Sequence, residues 1–483
     1  MESAWYELIA QQKLNDIRQS VKCDHFASAV SLRELGEVKI SCLVPMVAMS
    51  YEVTCRDTGV VKTGGCDFES AGVESFLFKE ALDLETLKPY ETEDRAHMIQ
   101  TTVKLVTGQE VGGAFAFCAT LCPGEKTRQL PSDALADRLA AIPVAKAGMT
   151  EEELRSICLR YMQLQVEAPI QFEEDFCHEI YSQRKPRRLL GGHIYGGIPY
   201  VTRGAGNLYR LAEICDPETH CLDRSSDIFD DIRYFGVACS GAASTAWGRV
   251  VTSAYLGYTM FMTEANGFLP VGPYRYPKEN VVKFTASELS CAHVCAFNGE
   301  QTMLESYACL KPADGAVCPG HVRMNASAPV VVRKADGTID PDESYTLMAE
   351  QVCYVTNPNH IRNAPDGTHY LAQGRVAHKY TFRELFDTNY IPFTFAEFAD
   401  PSRVAPARVR LAVEPTLAER VLSANYSISD VFLELDGKRY PYRNMEFFRK
   451  EVKLGDIFPE ELLTPEARIF CRLLNGELVE AVK

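Results

Sequence analysis

The segment that begins at Cys239 constrains the fold of this chain most strongly. It opens with the small polar run Cys239-Ser240-Gly241. The apolar residues that follow fall on one face of a helix: Ala243, Trp247, Val250, Val251 and Ala254. Gly257 is the expected end of this helix, since glycine is common just past a helix C-terminus. We therefore expect a helix whose first residue is a cysteine and whose apolar face packs on a core.

Strand patterns follow this helix. The segment His321-Val322-Arg323-Met324 comes directly after Pro319-Gly320 and is predicted to begin a strand. Two further predicted strands, residues 330–333 and 345–354, flank the hairpin-like turn Ala335-Asp336-Gly337. The sequence from Cys239 onward is therefore predicted to form a helix followed by strands.

A helix start signal marks the beginning of this domain. Thr150 and Glu153 have the spacing of a capping box. The residues that share the apolar face behind it are Leu154, Ile157, Cys158, Tyr161 and Met162. We therefore assign residues 150–400 to a central domain.

Residues 1–149 are predicted to form a β-rich accessory domain. A leading helix is expected within residues 1–20, strands are expected within 38–54 and 101–121, and Thr63-Gly64-Gly65 is expected to form a turn. A chain of 483 residues is too long for one ordinary core, which agrees with a division into three domains.

Residues 401–483 are predicted to form a second, small β-rich domain. Hairpin turns are expected at Asp436-Gly437 and Asn475-Gly476, and a helix is expected from Met445 to Glu451. This segment contains no pattern that indicates chemistry.

Charge and hydropathy limit the partners. The net charge of −15 argues against a nucleic-acid partner, because phosphate binding needs a basic surface. No stretch approaches the ~20 apolar residues that a membrane span requires, so we expect no transmembrane segment. The 17 cysteines show no repeated spacing, which indicates buried thiols in a reducing compartment rather than a disulfide framework.

The N-terminal segment lacks a basic region followed by an apolar core, so it does not resemble a signal peptide. We expect a cytoplasmic protein if the sequence is complete, and an extracellular or cell-wall protein if a signal peptide has been removed. The sequence does not indicate the oligomeric state.

Cys239 and His321 have the features of a nucleophile and its base. A cysteine is nucleophilic as the thiolate, and a helix N-terminus together with a nearby imidazole lowers its pKa. The small residues after Cys239 would let a substrate carbonyl approach the backbone N–H groups that stabilise an oxyanion. His321, at the start of its strand, can present an imidazole to the sulfur.

A third polar group should orient this imidazole. The strand Thr346–Gln351 ends in Glu350 and Gln351, and side-chain alternation allows only one of them to face the helix. We favour Glu350, because its charge would stabilise an imidazolium, and keep Gln351 as the alternative. The chemistry needs neither a metal nor an organic cofactor. The spacing in Cys291-Ala292-His293-Val294-Cys295 matches no paired zinc-ligand motif.

These segments resemble the NlpC/P60 family. In that family a Pro-Tyr segment, a Cys-Ser-Gly at a helix start, and a Lys-Pro-Gly-Asp strand leading to His-Val occur in this order. The matching segments here are Ile198-Pro199-Tyr200-Val201, Ala238-Cys239-Ser240-Gly241, Leu310-Lys311-Pro312-Ala313-Asp314-Gly315 and Gly320-His321-Val322. The resemblance extends over residues 191–351.

The resemblance implies a papain-like α+β fold for the central domain. It also implies hydrolysis of amide bonds, typically γ-D-glutamyl or related links in peptidoglycan peptides, so the expected partner is a peptide or muropeptide substrate. The implied catalytic residues are Cys239 as nucleophile, His321 as general base and acid, and Glu350 as the third polar residue. The implied substrate-binding residues are Tyr200, Ser240 and Gly241.

The chain departs from the family pattern at several positions. Ala238 stands where the family has Asp before the nucleophile, and Ala242 stands where a large apolar residue is usual. Ala313 replaces the glycine of the Pro-Gly-Asp turn, and residues 261–276 are expected to form an extra loop near the cleft. These departures leave the nucleophile in place and bear on substrate preference.

Two alternatives to hydrolysis remain open. An acyltransferase would use the same Cys/His site and pass the acyl group from the thioester to an amine or alcohol instead of water. A catalytically silent protein would use the cleft to hold a glycan or a peptide. Selective alkylation of one thiol would favour an enzyme, and uniform slow alkylation of several thiols would favour the silent cleft.

Overall fold

A computed structural model describes residues 22–25, 30–31, 35–55, 59–80, 97–117, 119–120, 134–173, 176–180, 185–189, 194–201, 204, 206, 208–223, 225–226, 236–287, 289–352, 361–363, 369–372, 374–442 and 448–481. The leading helix predicted within residues 1–20 lies outside these ranges. Within them, no helix is both long enough and apolar enough to cross a membrane.

The described α-helices are labelled in chain order. They are α1 (Leu135–Ala140), α2 (Glu151–Glu167), α3 (Leu208–Glu213), α4 (Cys239–Trp247), α5 (Cys291–Asn298), α6 (Glu300–Ala308), α7 (Phe382–Asp387), α8 (Ala396–Ala399) and α9 (Leu454–Ile457).

The N-terminal part is built around one long strand. Its strands are β1 (Lys22–His25), β2 (Val30–Ser31), β3 (Leu35–Cys55), β4 (Gly59–Asp67), β5 (Val73–Glu80), β6 (His97–Leu105), β7 (Glu110–Phe117) and β8 (Ala119–Thr120). β1, β4, β5 and β6 pair antiparallel with β3, and β7 pairs with β6. The prediction of strands within 38–54 and 101–121 is confirmed.

The turn predicted at residues 63–65 is wrong, because these residues lie inside β4. Gly64 pairs with Tyr51 of β3. A Cβ atom at Gly64 would lie 2.2 Å from the Tyr51 hydroxyl oxygen, so the glycine leaves room for this ring across the strand. The glycine serves close packing here rather than chain reversal.

Antiparallel pairing also builds the largest described sheet of the central part. The strands of this part are β9 (Pro169–Gln171), β10 (Phe176–Ile180), β11 (Lys185–Leu189), β12 (Ile194–Gly196), β13 (Leu269–Pro270), β14 (Gly315–Cys318), β15 (His321–Asn325), β16 (Tyr345–Gln351), β17 (Ile361–Asn363), β18 (His369–Ala372), β19 (Gly374–Thr381) and β20 (Ile391–Thr394). Within the described residues, six of them form one sheet in the order β13-β20-β14-β15-β16-β19, whereas β12 and β18 of a smaller sheet pair in parallel. β16 ends at Gln351, and residues 353–354 of the predicted strand lie outside the described ranges.

Two helices bring the candidate residues to this sheet. α2 begins with the predicted capping box: the Glu153 N–H donates to Thr150 Oγ1 at 3.2 Å, and the Thr150 N–H donates to Glu153 Oε2 at 2.7 Å. α2 packs against α4, and both helices pack against the sheet. The Trp247 ring at the end of α4 lies 5.3 Å from the Phe393 ring of β20.

α4 begins at Cys239 as predicted but ends earlier than predicted. Gly248 is its C-cap, and the Val250 N–H donates to the Trp247 carbonyl in a tighter turn at 2.9 Å. Val250, Val251 and Ala254 are still buried, although they lie outside the helix. Apolar spacing alone therefore overestimated the helix length, because a loop that turns back into the core also buries apolar residues.

The C-terminal part contains β21 (Val409–Leu411), β22 (Val421–Ala424), β23 (Ile428–Leu435), β24 (Lys438–Pro441), β25 (Glu451–Lys453), β26 (Arg468–Leu473) and β27 (Leu478–Ala481). The hairpins at Asp436-Gly437 and Asn475-Gly476 are confirmed as the β23–β24 and β26–β27 connections. The helix predicted from Met445 to Glu451 is wrong in its described portion, because Glu451 lies in β25, which pairs with β22. Residues 443–447 lie outside the described ranges.

Candidate active site

Cys239 lies at the first position of α4 and is 4% exposed. Its neighbour Ala238 is the N-cap residue and provides no side-chain cap. The Cys239 Sγ lies 3.7 Å from the carbonyl oxygen of Gly320, and the backbone N–H groups of Val322 and Ser240 hydrogen-bond to the sulfur. The sulfur therefore lies between the helix start and the beginning of β15.

The predicted substrate-binding residues surround this helix start. Tyr200 is half-buried in a segment that pairs with Val237, two residues before the nucleophile. Ser240 is also half-buried. Gly241 is buried, and a Cβ atom there would lie 2.2 Å from the Gly204 carbonyl oxygen. Gly241 therefore lets α4 approach its neighbouring segment closely, and contact of these residues with a substrate stays a prediction.

His321 is brought to the sulfur by a tight hairpin. It is the first residue of β15 and pairs with Cys318, the last residue of β14, so Pro319-Gly320 form the turn between them. Gly320 has a φ of +82°, in the region that favours glycine. The His321 side chain hydrogen-bonds to Cys239, and its Nε2 lies 2.5 Å from Glu350 Oε2. The strand start predicted at His321 is confirmed.

Glu350 is buried on β16 and is 1% exposed. The β16–β19 register shifts between Met348 and Glu350, where β19 has one residue more than β16, as at a β-bulge. Bulges redirect side chains and are common beside active sites. At this one, the Glu350 carboxylate meets the second nitrogen of the His321 ring.

Gln351 contacts a different part of the chain. It is buried, and its Nε2 donates to the carbonyl oxygen of Ile198 at 2.6 Å. Of the two candidates for the third polar residue, the structure therefore brings Glu350 to His321 and directs Gln351 to the segment that precedes Tyr200.

Three further residues hold the Glu350 carboxylate, and sequence analysis missed all of them. The Arg323 Nε donates to Oε2 at 2.9 Å. On the other side, the Tyr380 hydroxyl donates to Oε1, and the Arg375 Nη1 lies 3.4 Å from the same oxygen. The only sequence signal is that Arg323 lies two positions from His321 on the predicted strand, and so on the same face.

The charges of Cys239, His321, Glu350 and the neighbouring arginines shift the pKa values of the first three groups. Burial raises the pKa of the Cys239 thiol, but the hydrogen bond and the charge of His321 lower it below its ordinary value. Burial opposes the charged form of His321, yet the hydrogen bonds and charges of Cys239 and Glu350 raise its pKa to about 9. Burial raises the pKa of Glu350, but His321, Arg323 and Arg375 together hold it below its ordinary value. These directions favour a thiolate–imidazolium pair beside a carboxylate.

The turn before β14 anchors the sheet to the helices. Ala313 has a φ of +66°, and its carbonyl oxygen accepts a hydrogen bond from Trp247 Nε1 at 2.8 Å. The Asp314 carboxylate accepts hydrogen bonds from Arg155 of α2 and from the Lys311 N–H, both at 2.8 Å. The segment that resembles the family's Lys-Pro-Gly-Asp motif therefore has a structural role here.

The segment Cys291–Cys295 forms the start of α5. The Ser290 N–H donates to Nδ1 of His293 at 3.3 Å, so this histidine caps the helix. Among the residues that the structure describes, no group of three or more His, Cys, Asp or Glu side chains is arranged to hold a metal ion.

Comparisons with known proteins do not assign this chain to a family. No family model matches it, and no curated protein matches it. A solved structure with some similarity is the β-glucuronidase of Parabacteroides merdae with glycerol in its active site. The match has 10% sequence identity and a TM-score of 0.21, and it covers 95% of this chain and 62% of the β-glucuronidase. A likeness at this level carries no argument about fold or function.

Proposed function

We propose that this chain is a cysteine hydrolase that cleaves an amide bond through a thioester on Cys239. One observation carries the proposal: a cysteine at a helix N-terminus hydrogen-bonds to His321, whose Nε2 lies 2.5 Å from Glu350 Oε2. A nucleophile, its base and a group that orients the base, each in contact with the next, are what this chemistry requires.

The reaction follows from these contacts. The Cys239 thiolate attacks the amide carbon, and backbone N–H groups at the start of α4 stabilise the oxyanion. The His321 imidazolium donates its proton to the leaving amine, which leaves a thioester and a neutral imidazole. The same imidazole then takes a proton from water as the water attacks the thioester. A carboxylic acid is released, and the thiolate–imidazolium pair returns.

The substrate class rests on the resemblance to NlpC/P60 enzymes. We propose a papain-like fold for residues 150–400, and a peptidoglycan-derived peptide with a γ-D-glutamyl or related link as substrate. The order of a helix that opens on Cys239, a strand that opens on His321 and a strand that carries Glu350 supports this relationship.

The test is incubation of the protein with muropeptides and with a general peptide library, followed by mass spectrometry of the products. We expect cleavage of an amide bond, with the mass of one water added, that the Cys239→Ala variant does not catalyse. Products that carry an added amine or alcohol would instead identify an acyltransferase. Absence of any product, together with uniform slow alkylation of all thiols, would overturn the proposal.

A further inference from the structure

Arg323 and the candidate base His321 contact the same oxygen atom of Glu350. The Arg323 Nε lies 2.9 Å from Glu350 Oε2, the same oxygen that lies 2.5 Å from the Nε2 of His321. The Arg323 side chain is 14% exposed. An arginine in this position offsets the cost of burying the carboxylate and also fixes the direction of its oxygen.

Two tyrosine rings hold the Arg323 guanidinium in place. Its central carbon lies 3.7 Å from the centre of the Tyr380 ring and 4.2 Å from the centre of the Tyr390 ring. Cations stack favourably on aromatic faces, and the planar guanidinium does so in one orientation. The guanidinium therefore cannot rotate without losing these contacts.

Tyr380 also binds the second oxygen of the carboxylate. Its hydroxyl donates to Glu350 Oε1 and accepts a hydrogen bond from the Arg375 Nη1 at 2.6 Å. One oxygen of Glu350 is thus held by Arg323 and the other by Tyr380. Because each oxygen has its own partner, the carboxylate plane is fixed. The direction in which Glu350 Oε2 points at His321 is fixed with it.

We propose that Arg323 and Tyr380 are positioning residues that hold Glu350 in the orientation that His321 needs to keep Cys239 reactive. This inference rests on the proposed hydrolase function. The two residues act only through Glu350, so neither needs to touch the substrate. Residues that support a reactive group in this way commonly decide whether its geometry is productive.

A reactive thiolate at neutral pH is the expected consequence. Among the described residues, the titratable and charged side chains that face His321 or its partners are Cys239 from α4, Cys318 from β14, Arg323 from β15, Glu350 from β16, Arg375, His378 and Tyr380 from β19, and Tyr390. Glu350 raises the pKa of His321, and the imidazolium lowers the pKa of Cys239. If Glu350 no longer held His321, the pKa of Cys239 would therefore rise toward that of an ordinary thiol.

The test is the rate of alkylation of Cys239 by iodoacetamide, followed by mass spectrometry of its peptide from acidic to alkaline pH. In Arg323→Met we expect a rate at neutral pH about 10-fold below the wild type, because a smaller fraction of Cys239 is thiolate there, and a rise only at alkaline pH. Arg333→Met is the matched control, because Arg333 pairs with Glu305 at the surface, and its profile should equal that of the wild type.

Tyr380→Phe provides a milder change that removes one hydroxyl and keeps the ring. We expect a smaller shift of the profile in the same direction. In a Glu350→Gln background, Tyr380→Phe should add nothing, because residues that act through one group are not additive. Thermal unfolding of every variant shows that it is folded.

The outcomes separate this inference from the function on which it rests. No selective labelling of Cys239 in the wild type would overturn both. Selective labelling in the wild type, with an unchanged pH profile in a folded Arg323→Met or Tyr380→Phe variant, would overturn the positioning role alone. An additive effect of Tyr380→Phe on Glu350→Gln would also overturn it.

Discussion

Glu350 beside the candidate base His321 and Asp314 in the turn before β14 are both carboxylates, both 1% exposed and both in contact with an arginine. Their pKa values are nevertheless shifted in opposite directions. Burial raises the pKa of Asp314 above its ordinary value, and its contacts with Arg155, Thr394 and the Lys311 backbone do not reverse this. The pKa of Glu350 lies below its ordinary value in spite of the same burial.

The difference comes from the number and kind of partners. Glu350 has two arginines, a tyrosine hydroxyl and a histidine that can itself carry a charge. Asp314 has one arginine and otherwise neutral donors. A buried carboxylate with an arginine is therefore a common structural anchor, whereas convergence of several charged groups on one carboxylate, with a titratable ring among them, distinguishes the candidate site.

The largest effect is expected from Glu350→Gln. The amide cannot stabilise the His321 imidazolium, so kcat/KM should fall by about 10³-fold or more, as for other orienting carboxylates. The unfolding free energy should also fall by about 3–5 kcal/mol, because Arg323 loses its buried counter-charge. Steady-state kinetics on a peptide that the wild type cleaves measure kcat/KM, and chemical denaturation measures the unfolding free energy.

Asp314→Asn is the matched control for this substitution. It should cost only about 1–2 kcal/mol, because the amide keeps one acceptor oxygen and Arg155 keeps its ion pair with Glu151, and activity per folded molecule should be unchanged. An equal loss of activity in the two variants would remove the distinction between a site carboxylate and a turn carboxylate.

A smaller effect is expected in the acid dependence of stability, where the two carboxylates should act with opposite sign. The folded pKa of Glu350 is lowered, so its contribution is full above 4.5, its ordinary value, and is lost as the pH falls below it. The folded pKa of Asp314 is raised, so its contribution is full below 3.8 and is lost as the pH rises through the folded value. Denaturation in urea at a series of acidic pH values should therefore show a shallower acid loss for Glu350→Gln and a steeper one for Asp314→Asn. Parallel curves for the wild type, Glu350→Gln and Asp314→Asn would contradict the opposite pKa shifts of the two carboxylates.

The smallest effect is expected from Ala313→Gly, next to Asp314. Ala313 has a φ of +66°, which is costly for a residue with a Cβ atom. Glycine should therefore stabilise the protein by up to about 1 kcal/mol, measured by chemical denaturation. Ala316→Gly is the matched control, because Ala316 is equally buried but lies in strand β14, where glycine should destabilise by about 0.5–1 kcal/mol. Equal destabilisation by both substitutions would show that the turn is not strained.

Local signals predicted several elements well. The capping box at Thr150, the helix start at Cys239 and the hairpin at Asp436-Gly437 all depend on residues close together in the chain, and the structure contains each of them. The strand starting at His321 also follows a local Pro-Gly turn. By contrast, the glycines at 64–65 form part of a strand, where the Tyr51 ring of the partner strand packs on Gly64 and the Met49 carbonyl oxygen lies close to Gly65.

The sequence by itself determined which residue types are present for chemistry and in what order: a cysteine at a helix start, a histidine at a strand start, and a glutamate beside a glutamine on a later strand. It favoured Glu350 and left Gln351 as an alternative, and it did not identify Arg323, Arg375 or Tyr380. Those outcomes depend on strand register and on a β-bulge, which are set by pairing between segments far apart in the chain. Only the tertiary structure brings their charges into a buried space where they can set the protonation of one imidazole.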